Sequence, residues 1–258
     1  MVARVAEYYM NRLTDIYHRI KIYLHNASWI MGEKFFTLGI GFFVTVLMAR
    51  YLGPEQFGII AYALSMAALF ATAGHMGLSG LVVREIVKKE DSREETLGTT
   101  IVLKFLGYAL GYASLVAYAF FFEDYRSIEF WALLIVGSSL LFQPLSVIDF
   151  WFQAHMQARF TAIARTGALL MAATVKVALV ILGAEVLMFA YAHLLEVVLA
   201  GIFLVFIYRR TASVSLFSWK ISILRAKELL SQGWMVLLGS LFATVYLRID
   251  QIMLKWYI

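Results

Sequence analysis

The chain has 258 residues, 62% of them hydrophobic and 15% charged, and its mean hydropathy is +0.79. An ordinary water-facing surface cannot be built from so much apolar side chain, which excludes a soluble globular domain and points to the bilayer as solvent. The net charge of +5 suits basic loops at a membrane face better than nucleic acid, and the lack of cysteine excludes disulfides, thiolate nucleophiles and Cys-ligated metals.

In chain order, residues 1–28 interleave charge with Tyr and Ile (EYYMNRLTDIYHRIKIYL) and read as an amphipathic helix lying along the inner membrane interface. A helix needs ~20 apolar residues to cross ~30 Å of hydrocarbon. Seven windows qualify: 29–49, 58–82, 99–122, 130–150, 163–183, 186–208 and 234–257. Gly53-Pro54-Glu55 should end one helix and start the next, because proline at a first helical turn forgoes an N–H that has no partner anyway. Gly183-Ala184-Glu185 reads as a tight hairpin, Pro144 should kink the fourth span, and Gly107 with Gly111 forms a GxxxG that predicts close helix packing.

Basic residues alternate between the loops. Arg4, Arg12, Arg19 and Lys21 precede the first span, Arg84, Lys88, Lys89 and Arg93 follow the second, and Arg159 and Arg165 follow the fourth. Arg209, Arg210, Lys220, Arg225 and Lys227 follow the sixth, whereas the intervening loops carry Glu123, Asp124, Glu129 and Glu185 with few cations. This pattern places the N-terminus of a multi-pass membrane protein in the cytoplasm. The long connection 209–233 divides the chain into a six-helix N-terminal bundle (29–208), a cytoplasmic linker (209–233) and a seventh helix (234–258) without a partner helix.

Several charged or titratable side chains fall within predicted spans, where a Lys, Arg or Asp costs roughly 2.5–3.5 kcal/mol at the bilayer centre. Lys104, near the inner end of its span, is expected to snorkel to the headgroups. Lys176 and Glu196 stand on the two arms of the 183–185 hairpin, with His193 level with Lys176. Their pairing reads either as a structural ion pair or as a proton-linked site. His193 and Glu196 share a helix face but lack a third ligand, so no metal site is expected. Glu33 and Lys34 are adjacent and point ~100° apart. His75 lies in the second span as either a packing or a cavity residue. Arg248 lies ~21 Å along its helix, too deep for easy snorkelling, and Asp250 projects ~200° round from it. Both need partners from other helices or from a ligand.

The blocks NASWIMGEKFF (26–36), ARYLGPEQFGIIAYA (49–63), GLSGLVVREIVK (77–88), LGTTIVLKFLG (97–107), FQPLSVIDFWFQAHMQARFTAIAR (142–165) and YLRIDQIML (246–254) occur in one order along the chain. Together they resemble the Wzx-type oligosaccharide flippases of the MOP exporter superfamily. The resemblance implies an all-α integral membrane fold of 12–14 helices in two bundles, with helices one, two, seven and eight around a central cavity. It also implies transport of a polyprenyl-diphosphate-linked oligosaccharide (an O-antigen, capsule or exopolysaccharide repeat unit) to the outer leaflet by alternating access. Glu33 and Lys34 match the family's Glu-Lys in helix one, Arg84 and Glu85 its Arg-acid pair after helix two, and Arg248 and Asp250 its helix-seven pair. Ser79 departs from the Asp that many relatives carry there. On this reading Arg248, helped by Lys34, meets the diphosphate, while Asp250 and Glu33 orient it or contact sugar hydroxyls. His75 joins the cavity set.

The implied partners are the lipid-linked oligosaccharide, membrane lipids, and polymerase and chain-length proteins of the same pathway, with no cofactor and no nucleic acid. The chain is expected to be truncated after helix seven and inactive by itself. Rival readings are a lipid-linked peptidoglycan-precursor flippase, a multidrug exporter of the same superfamily, and a membrane enzyme of envelope glycan assembly. The enzyme reading has only His155 with Asp149 as candidate acid–base groups, in no recognisable motif.

Overall fold

The computed structural model describes the backbone of residues 2–89, 92–212 and 218–257, and side chains for Tyr17, Lys21 and residues 23–89, 92–212 and 218–247. Among these residues the fold is all-α. Its elements are α1 (Val2–His75), α2 (Leu78–Lys88), α3 (Arg93–Phe122), α4 (Ile128–Ser138), a 3-10 segment (Ser139–Ser146), α5 (Val147–Ala154), α6 (Ala158–Ile181), α7 (Val186–Thr211) and α8 (Ile223–Tyr257). Six stretches of the described residues are long and apolar enough to cross a membrane, and the first, Tyr23–Lys88, holds the first two expected spans. The protein is an integral membrane helical bundle.

The breaks follow backbone chemistry. α1 is interrupted at Gly53, whose φ of 72° and ψ of 174° no side-chain-bearing residue adopts cheaply, and Pro54 opens the next run. Gly183, at φ 70°, turns the hairpin between α6 and α7, and the neighbouring Ala184 carbonyl accepts a hydrogen bond from the Tyr51 hydroxyl at 3.1 Å. Pro144 lies in the 3-10 segment that separates α4 from α5, so the expected kink is an eight-residue change of helix type. Gly107 and Gly111 let α3 lie against the second half of α1. A Cβ on Gly107 would be 2.6 Å from the Ala73 carbonyl oxygen, and one on Gly111 would strike the Phe70 carbonyl.

The backbone departs from the expected boundaries in three places. The second span stops at His75, where Met76 and Gly77 both take positive φ (47° and 64°) and the chain turns into the short α2. Leu78, Val82 and Ile86 form the buried stripe of α2, while Arg84 and Lys88 are exposed, so residues 78–82, expected to end the second span, are instead the first turn of this short helix. The expected linker 209–233 is shorter than predicted, because α7 continues to Thr211 and α8 begins at Ile223. The division at residue 28 has no counterpart in the backbone, which runs from Val2 to Leu52 as one helix.

Loop contacts sort the helix ends into two groups. At one end the Asn26 side chain accepts from the Ala158 amide at 2.8 Å, Arg93 approaches His155 at 3.5 Å, and Trp219 donates to the Tyr208 hydroxyl at 3.3 Å. Lys88, Lys89, Arg159, Arg209 and Arg210 belong to these connections, which form a basic end. At the other end Tyr62 donates to Glu123 at 2.8 Å, close to the Tyr51–Ala184 contact in helix register. The main apolar core, around Val44, Ile60, Leu133, Val136 and Phe189, fills the bundle toward that second end.

Candidate functional site

Three facing stripes carry part of the charge inside the bundle. On α1, Glu33 and Thr37 are one turn apart. On α6, Arg165, Leu169 and Lys176 fall at intervals of four and seven, and on α7, His193, Glu196, Ala200 and Leu204 do the same at three and four. The small residues Ala168, Ala200 and Gly201 leave open volume beside these stripes. The result is two adjoining clefts. One of about 360 Å³ is lined by Glu33, Thr37, Gln143, Ser146, Arg165 and Glu196, with apolar neighbours. The other, of about 370 Å³, is lined by Lys176, His193 and Glu196 among apolar residues. Thr37, Leu169 and Glu196 belong to both.

Within them the ionic groups are matched. Lys176 Nζ donates to Glu196 Oε2 at 2.7 Å. Arg165 donates a short charge-assisted hydrogen bond to Asp149, and its other terminal nitrogen lies 4.0 Å from Glu33 Oε1. Asp149 is 1% exposed, and Thr161 stands beside its carboxylate. An isolated charge there would carry a desolvation cost of several kcal/mol, so the arginine is a structural necessity. Such a balanced lining of carboxylates, cations, amide and hydroxyls can hydrogen-bond a polyhydroxylated group without imposing a net charge on it.

The structure brings together Lys176, Glu196 and His193 as neighbours, and it joins Glu33 to Arg165 instead of to Lys34. Lys34 is exposed on the adjoining face of α1, and His75 is exposed at the end of α1 with its ring edge-on to Tyr108, 5.8 Å between centroids. Arg248 and Asp250 fall on α8, but their side chains lie outside the described residues. Lys104 does not snorkel. It is 2% exposed, donates to Ser146 Oγ at 3.2 Å and sits 4.7 Å from the centre of the Phe150 ring. Its face of α3 packs against the 3-10 segment and α5, so the headgroups are out of reach. His155 stacks on Trp151 at 4.2 Å and bonds the Trp151 carbonyl, while Asp149 is committed to Arg165, so the two do not form an acid–base pair.

Sequence reasoning missed Arg165, which it counted as a loop cation, and the partner role of Asp149. The signal was present: Arg165 and Lys176 are eleven residues apart, three helical turns, and therefore share one face.

The sequence profile of the polysaccharide biosynthesis protein family matches residues 23–258. The chain belongs to that family. A stretch of 66 residues is 36% identical to the succinoglycan biosynthesis transport protein ExoT of Rhizobium meliloti (strain 1021), covering 25% of this chain and 13% of that protein. The chain thus matches well under two thirds of that relative's length. No solved structure matches. Membership extends through every apolar stretch of this polysaccharide biosynthesis protein, including both stripes that carry the α6 and α7 charges.

Proposed function

We propose that this polysaccharide biosynthesis protein forms part of a flippase that turns a polyprenyl-diphosphate-linked oligosaccharide from the cytoplasmic to the outer leaflet of the cell membrane by alternating access, with its N-terminus and basic end in the cytoplasm. The observation that carries the reading is the family match over all the apolar helices of a bundle that keeps polar, charge-lined clefts inside. The likeness to a protein named for succinoglycan transport favours a transporter over an enzyme. So does the separate commitment of His155 and Asp149 to structural partners.

The chemistry is that of moving an anion with a hydrated head through hydrocarbon. An unaided diphosphate would face a Born cost on the order of tens of kcal/mol. Arginine offsets that through charge-assisted, bidentate hydrogen bonds to phosphate oxygens. Arg248, helped by Lys34, is the proposed diphosphate partner, and Asp250 braces it or meets sugar hydroxyls. Glu33, which lines the cleft 4.0 Å from Arg165, is placed to accept hydrogen bonds from the glycan.

Complementation of a flippase-deficient strain with the full-length gene tests this. Wild type should restore surface glycan, Arg248→Lys should restore part of it, and Arg248→Ala should restore almost none at equal expression. Full restoration by Arg248→Ala removes that residue from the mechanism, and failure of the wild type with every lipid-linked glycan tried removes the flippase reading.

A further inference from the structure

α8 is fastened to the bundle at the basic end by a set of polar contacts. Arg225, in the first turn of α8 and 7% exposed, donates to Glu85 Oε2 at 2.9 Å, to Glu228 Oε2 at 2.7 Å and to Thr96 Oγ1 at 3.2 Å. It therefore ties α8 to α2 and α3 at once. Two turns on, Gln232 accepts from Arg84 Nη2 at 3.0 Å, and just before α8 the Ser222 amide donates to Thr99 Oγ1 at 3.1 Å. Backbones approach closely around these bonds: Gly233 packs on the Met76 carbonyl at 2.6 Å from its Cβ position, and Gly98 lies under the Lys220 carbonyl. Farther along α8 the side chains of Phe242, Tyr246 and Leu247 are all more than two-thirds exposed.

Two features distinguish this junction from a permanent joint. Its directional contacts are mostly charge-assisted hydrogen bonds, whose groups water can solvate on opening, and beneath them Leu229 of α8 is buried in a small apolar cluster with Leu78, Val82, Ile86 and Leu97. A cleft of about 350 Å³ already opens beside the Arg84–Gln232 bond. In addition, α2 is only eleven residues long and hangs from the positive-φ pair Met76 and Gly77, so one end of the junction sits on a short lever with a turn behind it. We infer that Arg225 with Glu85, seconded by Arg84 with Gln232, is a latch that closes the basic end of the transporter and must release whenever the protein opens to that side. The inference rests on the alternating-access reading above.

The experiment uses the full-length protein. These 258 residues hold no cysteine, and any cysteine elsewhere in the protein is replaced first. Gly80 of α2 and Val236 of α8 both line the Arg84–Gln232 cleft. With Gly80→Cys and Val236→Cys joined by a short reducible bis-thiol reagent, glycolipid translocation should fall at least tenfold and return when the link is reduced. Unchanged translocation in fully cross-linked protein overturns the latch. A second readout needs no transport: Thr99→Cys, buried in the latch, should react with maleimide at least tenfold faster when Arg225→Gln is added. Ala132→Cys, buried in the distant core, should stay protected in both backgrounds. An unchanged rate at position 99 overturns the latch even if the transported substrate is wrong. Acceleration at position 99 in a protein that moves no glycolipid upholds the latch and sinks the flippase reading instead. If Arg225→Gln exposes position 132 as well, the milder Glu85→Gln is read in its place, with the same outcomes.

Discussion

Lys176 and Glu196 stand on opposite arms of the α6–α7 hairpin and meet with 2.7 Å between Nζ and Oε2, both side chains mostly buried. The pair holds the two helices in register at the depth where His193 and the second cleft lie. Removing one partner strands the other charge. Lys176→Met alone should lower stability by about 1–3 kcal/mol, read as thermal unfolding in detergent. Lys176→Met with Glu196→Gln should recover most of that loss, and transport should recover with it. A stable double variant that no longer transports would show that the pair handles protons and not only packing.

Arg165 serves two carboxylates, so its loss should be felt more than the loss of either. Arg165→Leu removes the guanidinium that Asp149 and Glu33 share. A loss on the order of 2–3 kcal/mol is expected, below the 3–5 typical of a fully buried broken pair because the arginine is itself half exposed. Glu33→Gln should cost under about 1 kcal/mol, since its contact is long and weak. Chemical denaturation of the purified variants gives the order. An equal effect of the two would mean that Arg165 acts mainly through Glu33 and not through Asp149.

Close packing of α3 on α1 makes a second graded series. Gly107→Ala and Gly111→Ala each force a methyl against backbone carbonyls of α1 and should cost about 1–3 kcal/mol. Gly58→Ala, on an exposed helical face with nothing within 4 Å of the new methyl, should be neutral or stabilise by about 0.5–1 kcal/mol. Melting temperatures of the three variants in one detergent decide the matter.

Gly53 differs from these because the obstacle is the backbone itself. Space is open around it, yet its φ of 72° with ψ of 174° is a region essentially reserved for glycine. Gly53→Ala should cost about 1–3 kcal/mol. It should also straighten the joint, seen as a changed distance between spin labels placed on the two halves of α1. A stable variant with an unaltered distance would mean that the break belongs to Pro54 instead.

The amino-acid sequence by itself settled the solvent and the punctuation of this protein. Apolar windows of bilayer length announce helices, and Gly53-Pro54, Gly183 and Pro144 mark their breaks, because these depend on local composition and on which residues tolerate a given φ. It also placed Lys176 opposite Glu196, since a tight hairpin converts sequence distance directly into depth. Tertiary structure alone decided that Lys104 is buried against Phe150 and that Arg165 belongs to Asp149. It alone decided that Arg225 reaches Thr96 and Glu85, 129 and 140 residues away in the chain. Those partnerships depend on how each helix is rotated about its axis and which neighbour it faces. A hydropathy pattern averages over that rotation, and only packing fixes it.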